Sequence, residues 1–151
     1  MRKYFVQALA TVSLLIVTLV VTTGQAQAQS LANPVRVKVP FDFVVRGKTL
    51  PAGEYEIRRL MDEPIGLLIR NVHDKHDNLV FETEPKIDRA ITKRDELIFN
   101  RYGDTYFLAE VVTAGEQTGE ELNPSHKERE LKREMARNQS APETVTVAAL
   151  N

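Results

Sequence analysis

The chain has 151 residues, 42% of them apolar and 27% charged, with 20 basic against 21 acidic side chains and no cysteine. This length supports one ordinary hydrophobic core. The missing thiols exclude disulfides, thiolate catalysis and a lipid-modified terminal cysteine, and the near-even mixture of charge leaves no electrostatic footprint for nucleic acid.

The first elements in chain order are targeting elements. Arg2 and Lys3 precede an apolar run from Ala8 to Val21, and small and polar residues then lead to Ala26-Gln27-Ala28. This three-part pattern predicts a secretory signal peptide over residues 1–28, cleaved before Gln29. An uncleaved anchor is the competing reading, since Phe5 to Val21 is almost long enough to span a bilayer. Those 28 residues hold two basic and no acidic side chains, so cleavage leaves the exported domain at net charge −3. The expected location is periplasmic or extracellular, with the membrane involved only through the signal segment before cleavage. Residues 29–33 form a short linker.

A β-domain is predicted over residues 34–112. Val35, Val37, Val39, Phe41, Phe43 and Val45 alternate with Arg36, Lys38, Pro40, Asp42, Val44 and Arg46. That is the period-2 pattern of extended chain. Pro40 cannot donate to a ladder, so the run divides there into two strands. Gly47 ends the second strand. Leu50-Pro51-Ala52-Gly53 suits a type I turn, with proline pre-setting the backbone at its second position, and Tyr55 and Ile57 resume the alternation. Further strands follow at Ile65, Leu67 and Ile69, at Leu79, Phe81 and Thr83, and at Leu97 and Phe99, separated by the polar "VHDKHDN" and the charged "KIDRAITKRDE". "NRYGDTYF" reads as a hairpin with Gly103-Asp104 in a glycine-first tight turn. After it, Tyr106, Leu108 and Val112 are assigned to one face and Phe107, Ala109 and Val111 to the other, which makes this strand central. The expected fold is mainly β, a small antiparallel sandwich or barrel of about six to eight strands with one C-terminal helix.

The periodicity stops at residues 113–125, read as a loop. Ser125 and Glu128 form a capping box opening a helix over residues 126–138, with Glu128 and Lys132 spaced for an i,i+4 pair. Its apolar stripe is only Leu131 and Met135. A helix of this length is marginal alone in water, so it must dock on this domain or on a partner. In the tail, residues 139–151, "TVTVAAL" alternates and is a candidate closing strand or a strand to be added to another sheet.

Taken together, "VPFDFVVRGKTLPAGEYEI", "LLIRN", "LIFNRYGDTYFLAEV" and "TAGEQTGEEL" resemble a group of small exported bacterial proteins of uncharacterised function, over about residues 35–135. The resemblance implies one secreted β-rich domain. It carries no activity, cofactor or site residue.

Catalytic parts are scarce. After cleavage only Ser30, Ser125 and Ser140 remain as serines, and there is no G-x-S-x-G turn. His73 and His76, beside Asp74 and Asp77, could contribute to a metal site, but the spacing matches no helical zinc motif and turn chemistry explains the aspartates. Glu116, Glu120 and Glu121 lack the pattern of a calcium loop and read as a solvated acidic stretch. Tyr55, Tyr102 and Tyr106 are candidates for a sugar platform, weakened by the absence of tryptophan, and the phase of Tyr55 with Ile57 points to the core. The expectation is a non-catalytic exported domain, without a catalytic, cofactor-binding or metal residue to assign, that works by contact with an envelope or extracellular protein. Small-ligand or carbohydrate binding by the β-domain is the alternative, and a metal-dependent enzyme at His73 and His76 ranks below it.

Overall fold

The computed structural model describes residues 34–60, 66–74 and 76–150; the predicted signal peptide, the whole 29–33 linker and Ile65 of a predicted strand lie outside them. Among the described residues the chain is mainly β, with eleven strands in two facing sheets and one helix near the C-terminus. One sheet contains β1 (Val35–Val39), β4 (Gly53–Arg59), β5 (Gly66–Asn71) and β6 (Asn78–Glu82), in the order β1-β4-β5-β6, all antiparallel. The other runs β11 (Glu143–Ala148), β8 (Glu96–Tyr102), β9 (Thr105–Val112), β10 (Gly119–Glu121), β7 (Glu84–Lys86). Since β8 occupies one edge of β9, the opposite edge is shared by β10 and by β2 (Phe43–Val45), which carries β3 (Lys48–Leu50) beyond it. The β2–β9 pairing is parallel, against the expectation of a wholly antiparallel fold. The strand count exceeds the expected six to eight because short or bent pieces count separately. β10 lies inside the stretch read as a loop, where Gly-Glu-Glu gives no apolar alternation to detect it.

Residues 35–59 cross between the sheets twice. β1 belongs to one sheet; after Pro40 the chain enters the other as the β2–β3 hairpin and returns as β4. The hairpin turns on Arg46 (φ 51°) and Gly47 (φ 93°), the two left-handed residues that match the twist of flanking strands. "LPAG" is therefore the return corner, not a hairpin loop. Asp42 ties the two crossings together, its Oδ1 accepting from the Ala52 N–H at 2.8 Å, and the Tyr55 hydroxyl braces the second by donating to the Pro51 carbonyl at 2.6 Å. A Cβ at Gly47 would meet no neighbour, so Gly47→Ala carries only the backbone cost of a left-handed alanine. The expected loss is about 1–2 kcal/mol, read as a lower urea midpoint with unchanged m-value.

The alternation places Val35, Val37, Val39, Tyr55, Ile57, Leu67, Ile69 and Phe81 of one sheet against Phe43, Val45, Leu50, Leu97, Phe99, Leu108 and Val111 of the other. The space between the sheets is filled by rings: Phe43 meets Tyr55 and Phe99 edge-to-face at 5.1 and 5.4 Å, and all three are fully buried. The expected phase of β9 is corrected. A register shift opposite Ile98/Phe99 puts Val111 on the core face with Tyr106 and Leu108, as a β-bulge does when one extra residue is inserted. β9 is central, as its two apolar faces predict. Gly103 (φ 60°) followed by Asp104 makes the two-residue turn between β8 and β9, in the predicted glycine-first form.

The tail is part of this domain. β11 pairs with β8 along its whole length, and beyond it Leu150 N–H donates to the Arg36 carbonyl of β1 at 2.8 Å. That bond joins the two sheets where β1 meets the segment after β11. On the other side of the sandwich β6 runs directly into β7.

Candidate functional site: the helix face and its adjoining cleft

Helix α1 (His126–Arg137) begins where predicted and for the predicted reason. Ser125 takes an extended conformation and its Oγ accepts from the Glu128 N–H at 3.2 Å, satisfying one of the orphan donors of the first turn. Glu128, Leu131 and Met135 share one face. Leu131 and Met135 pack on Val44, Tyr102 and Phe107 of the outer side of the second sheet.

The expected Glu128–Lys132 surface pair is replaced by a different arrangement. Glu128 is buried (4% exposed) and its Oε1 accepts from Asn100 Nδ2 of β8 at 3.1 Å. Burial pushes its carboxyl above the ordinary range, opposed by hydrogen bonds from Asn100, the Ser125 backbone and the Tyr102 hydroxyl and by the charge of Lys132. No periodicity reveals this inward turn. The only sequence signal is polar Asn100 on a strand face otherwise made of Tyr102 and Ile98.

With that stripe consumed, Lys127, Arg129, Lys132, Arg133 and Arg137 are all exposed, against only Glu130 and Glu134. Beside the start of α1 an open cleft of about 450 Å³ runs to the β2–β3 hairpin, lined among others by Val44, Arg46, Thr49, Ser125, Lys127 and Arg129. Arg129 Nη1 donates to the Pro124 carbonyl at 2.6 Å, and Arg46 Nη1 to the Asn123 carbonyl at 3.4 Å. These contacts brace the loop that leads into the helix. A cationic ridge and cleft of this kind can attract anionic groups by long-range Coulomb forces.

The other candidates from the sequence are dispersed. In the β5–β6 connection Asn71 Oδ1 accepts from the N–H groups of His73 and Asp74, and Asp74 Oδ1 from that of His76. These are self-bonded turns of the kind Asn and Asp favour. The His73 side chain is largely exposed, 3.9 Å from Glu54, and among the described residues no group of three potential ligands comes together. Of the acidic stretch expected to be solvated, Glu121 remains exposed, whereas Glu120 is largely covered. Glu120 bonds Arg59 and the Thr83 hydroxyl, and Glu121 bonds Lys86. Burial, the largest influence, raises the Glu116 carboxyl. Tyr55 and Tyr102 are buried, and Tyr106 stacks on Phe41 at 3.8 Å under the Arg101 guanidinium. The three rings form no shared open platform. Ser125 is committed to the helix cap, and Ser140 bonds the Asn138 carbonyl at 3.4 Å.

Two buried carboxylates were not foreseen. Glu56, on the outer face of β4, is ringed by Arg36, Arg58 and Arg70. Burial alone would raise its carboxyl, but the bond from Arg58 and the charges of Arg58, Arg70 and Arg36 bring it below the usual range. Glu110 lies under Arg89 and Lys86, with its Oε1 in ion-pair contact but without an aligned hydrogen bond. Gly119 gives that oxygen its room, since a Cβ there would overlap it. Both clusters read as structural ion pairs that pin neighbouring strands and the 87–95 connection.

Among the described residues no helix is long and apolar enough to cross a membrane. Comparison with protein-family models, curated proteins and solved structures finds no match. The class defined by fold and site is a β-sandwich-like domain with a helix docked on one outer face.

Proposed function

We propose that the exported domain is non-catalytic and works by contact, presenting the cationic face of α1 and its adjoining cleft to an envelope or extracellular protein with an acidic surface. The observation that carries this reading is the division of labour on the helix. Leu131, Met135 and Glu128 are spent on the domain's own sheet, which leaves five basic side chains outward in a chain of net charge −1. Such a concentration of one sign on a rigid element steers encounter and sets specificity more than it adds raw affinity. The filled sandwich interior favours a surface role over a ligand held between the sheets.

The test is a crosslinking pull-down from an envelope fraction with residues 29–151, compared with the triple variant Lys127→Glu, Arg129→Glu, Lys132→Glu, both shown folded by circular dichroism. A specific partner captured by the first, lost by about tenfold or more in the second and weakened by salt is the expected result. Equal capture by both proteins, or no specific capture by either, rejects the reading.

A further inference from the structure

The edge of β11 that is unpaired among the described residues has the composition and geometry to pair with a second copy of itself. The β11–β8 register is unbroken from Glu143↔Arg101 to Ala148↔Glu96, and Ala149 N–H continues it to the Asp95 carbonyl at 2.8 Å. In an antiparallel ladder, alternate residues direct both backbone groups to the same neighbour. The bond at Ala149 therefore assigns Val145 and Val147 to β8, and turns the N–H and C=O of Thr144, Thr146 and Ala148 to the open side. Leu150, next in that series, has its N–H taken by Arg36 of β1. The open edge thus runs from Thr144 to Ala148 and is closed at its C-terminal end.

Natural sheets guard such edges with charges, prolines or brevity. The other edges here do so. β1 carries Arg36 and Lys38 and stops at Pro40; β3 has three residues and Lys48; β6 carries Glu82 and runs into β7, where Glu84, Pro85 and Lys86 follow one another. From Thr144 to Ala148 there is no charge and no proline, and four of the five residues are β-branched. Val145 and Val147 pack on the core rim yet remain only half-buried, so the apolar layer ends there unfinished.

We propose that β11 joins β11 of a second copy in antiparallel fashion, extending the seven-stranded sheet across a two-fold axis. Facing residues of a sheet share a side, so a two-fold through Thr146 sets Thr146 against Thr146, Val145 against Val147 and Thr144 against Ala148. The strand is its own complement. An identical partner brings identical charges, and a strand without charge over these five positions is the kind that tolerates one. The Val pair then completes the rim of each core, and Thr–Thr pairs stabilise the outer side.

Five residues of strand make a small interface, at the low end of specific contacts, so a monomer–dimer equilibrium with a dissociation constant on the order of 100 μM is expected. Residues 29–151 are to be followed by sedimentation velocity and by amide NMR over a dilution series spanning about two decades around that value. The wild type should shift from monomer to dimer, with the Thr144, Thr146 and Ala148 amides gaining exchange protection as concentration rises while Val145 and Val147 stay protected throughout. Thr146→Pro removes one outward N–H and leaves the β8 ladder intact, and Thr146→Lys places like charges face to face; each should hold the protein monomeric. The lysine variant serves if the proline distorts β11. A wild type that stays monomeric across the series overturns the proposal, and so does a dimer that survives in both variants. Either result leaves the contact reading of α1 intact, because that reading rests on a different surface and a different assay.

Discussion

Replacing Phe43 by alanine should lower the stability of the domain by about 3–5 kcal/mol, the range for emptying a fully buried ring site. Phe43 is the first residue after the β1–β2 crossing and has no exposed surface. It meets Tyr55 and Phe99 edge-to-face, so its loss leaves two other rings without a partner on one side. The backbone there is also engaged, pairing with Leu50 and Tyr106, which limits how far the site can collapse around the void. Domains of this size have about 5–15 kcal/mol in total, so the variant should be largely unfolded near its growth temperature or melt many degrees lower. Urea denaturation followed by tyrosine fluorescence measures it. A loss below about 1 kcal/mol would show that the crossing is not packed as described.

Glu128 should make stability fall as pH rises. Its folded carboxyl is raised above the ordinary value by burial, so the folded state holds its proton more tightly than the unfolded chain does. The stabilisation from the protonated form is fully present below the unfolded value and is lost as pH climbs through the raised folded one. Glu128→Gln keeps the shape and an acceptor for Asn100 without a charge to desolvate. Its stability relative to wild type should therefore rise with pH above about 4.5, with the two proteins closest in acid. Glu128→Ala should lie about 1–3 kcal/mol below the glutamine variant at every pH, because Asn100 and Tyr102 lose a buried partner. Thermal melts of the three proteins from pH 4 to pH 8 separate these effects. A glutamine variant that parallels wild type across that range would mean that Glu128 is solvated.

Much of the fold was legible wherever one side chain in two had to be buried. Val35 to Val45, Tyr55 and Ile57 read off directly, as did the break at Pro40 and the turn at Gly103-Asp104. Pairings between distant segments carried no such signal. Nothing in Phe43-Val44-Val45 announces a parallel contact with Tyr106 and Phe107, and Gly119–Glu121 is too short and too polar to show a period. The bulge in β9 inverted the faces of Val111 and Val112 because alternation assumes an unbroken pleat. At the candidate site the helix, its cap and its stripe were readable locally. The outward ridge of cations became visible only once Glu128 was seen to turn inward to Asn100, a residue 28 positions upstream.

The bond from Leu150 to Arg36 gives the domain an order of assembly. Synthesis from the N-terminus makes β1 and β2 long before β9 and β11 exist to cover them, so the sandwich cannot close until β11 and Leu150 are available. Loop-closure entropy makes such distant contacts late and slow. Until then the early strands have no lasting partner, and the fold locks only when β11 has paired with β8 and Leu150 has reached Arg36.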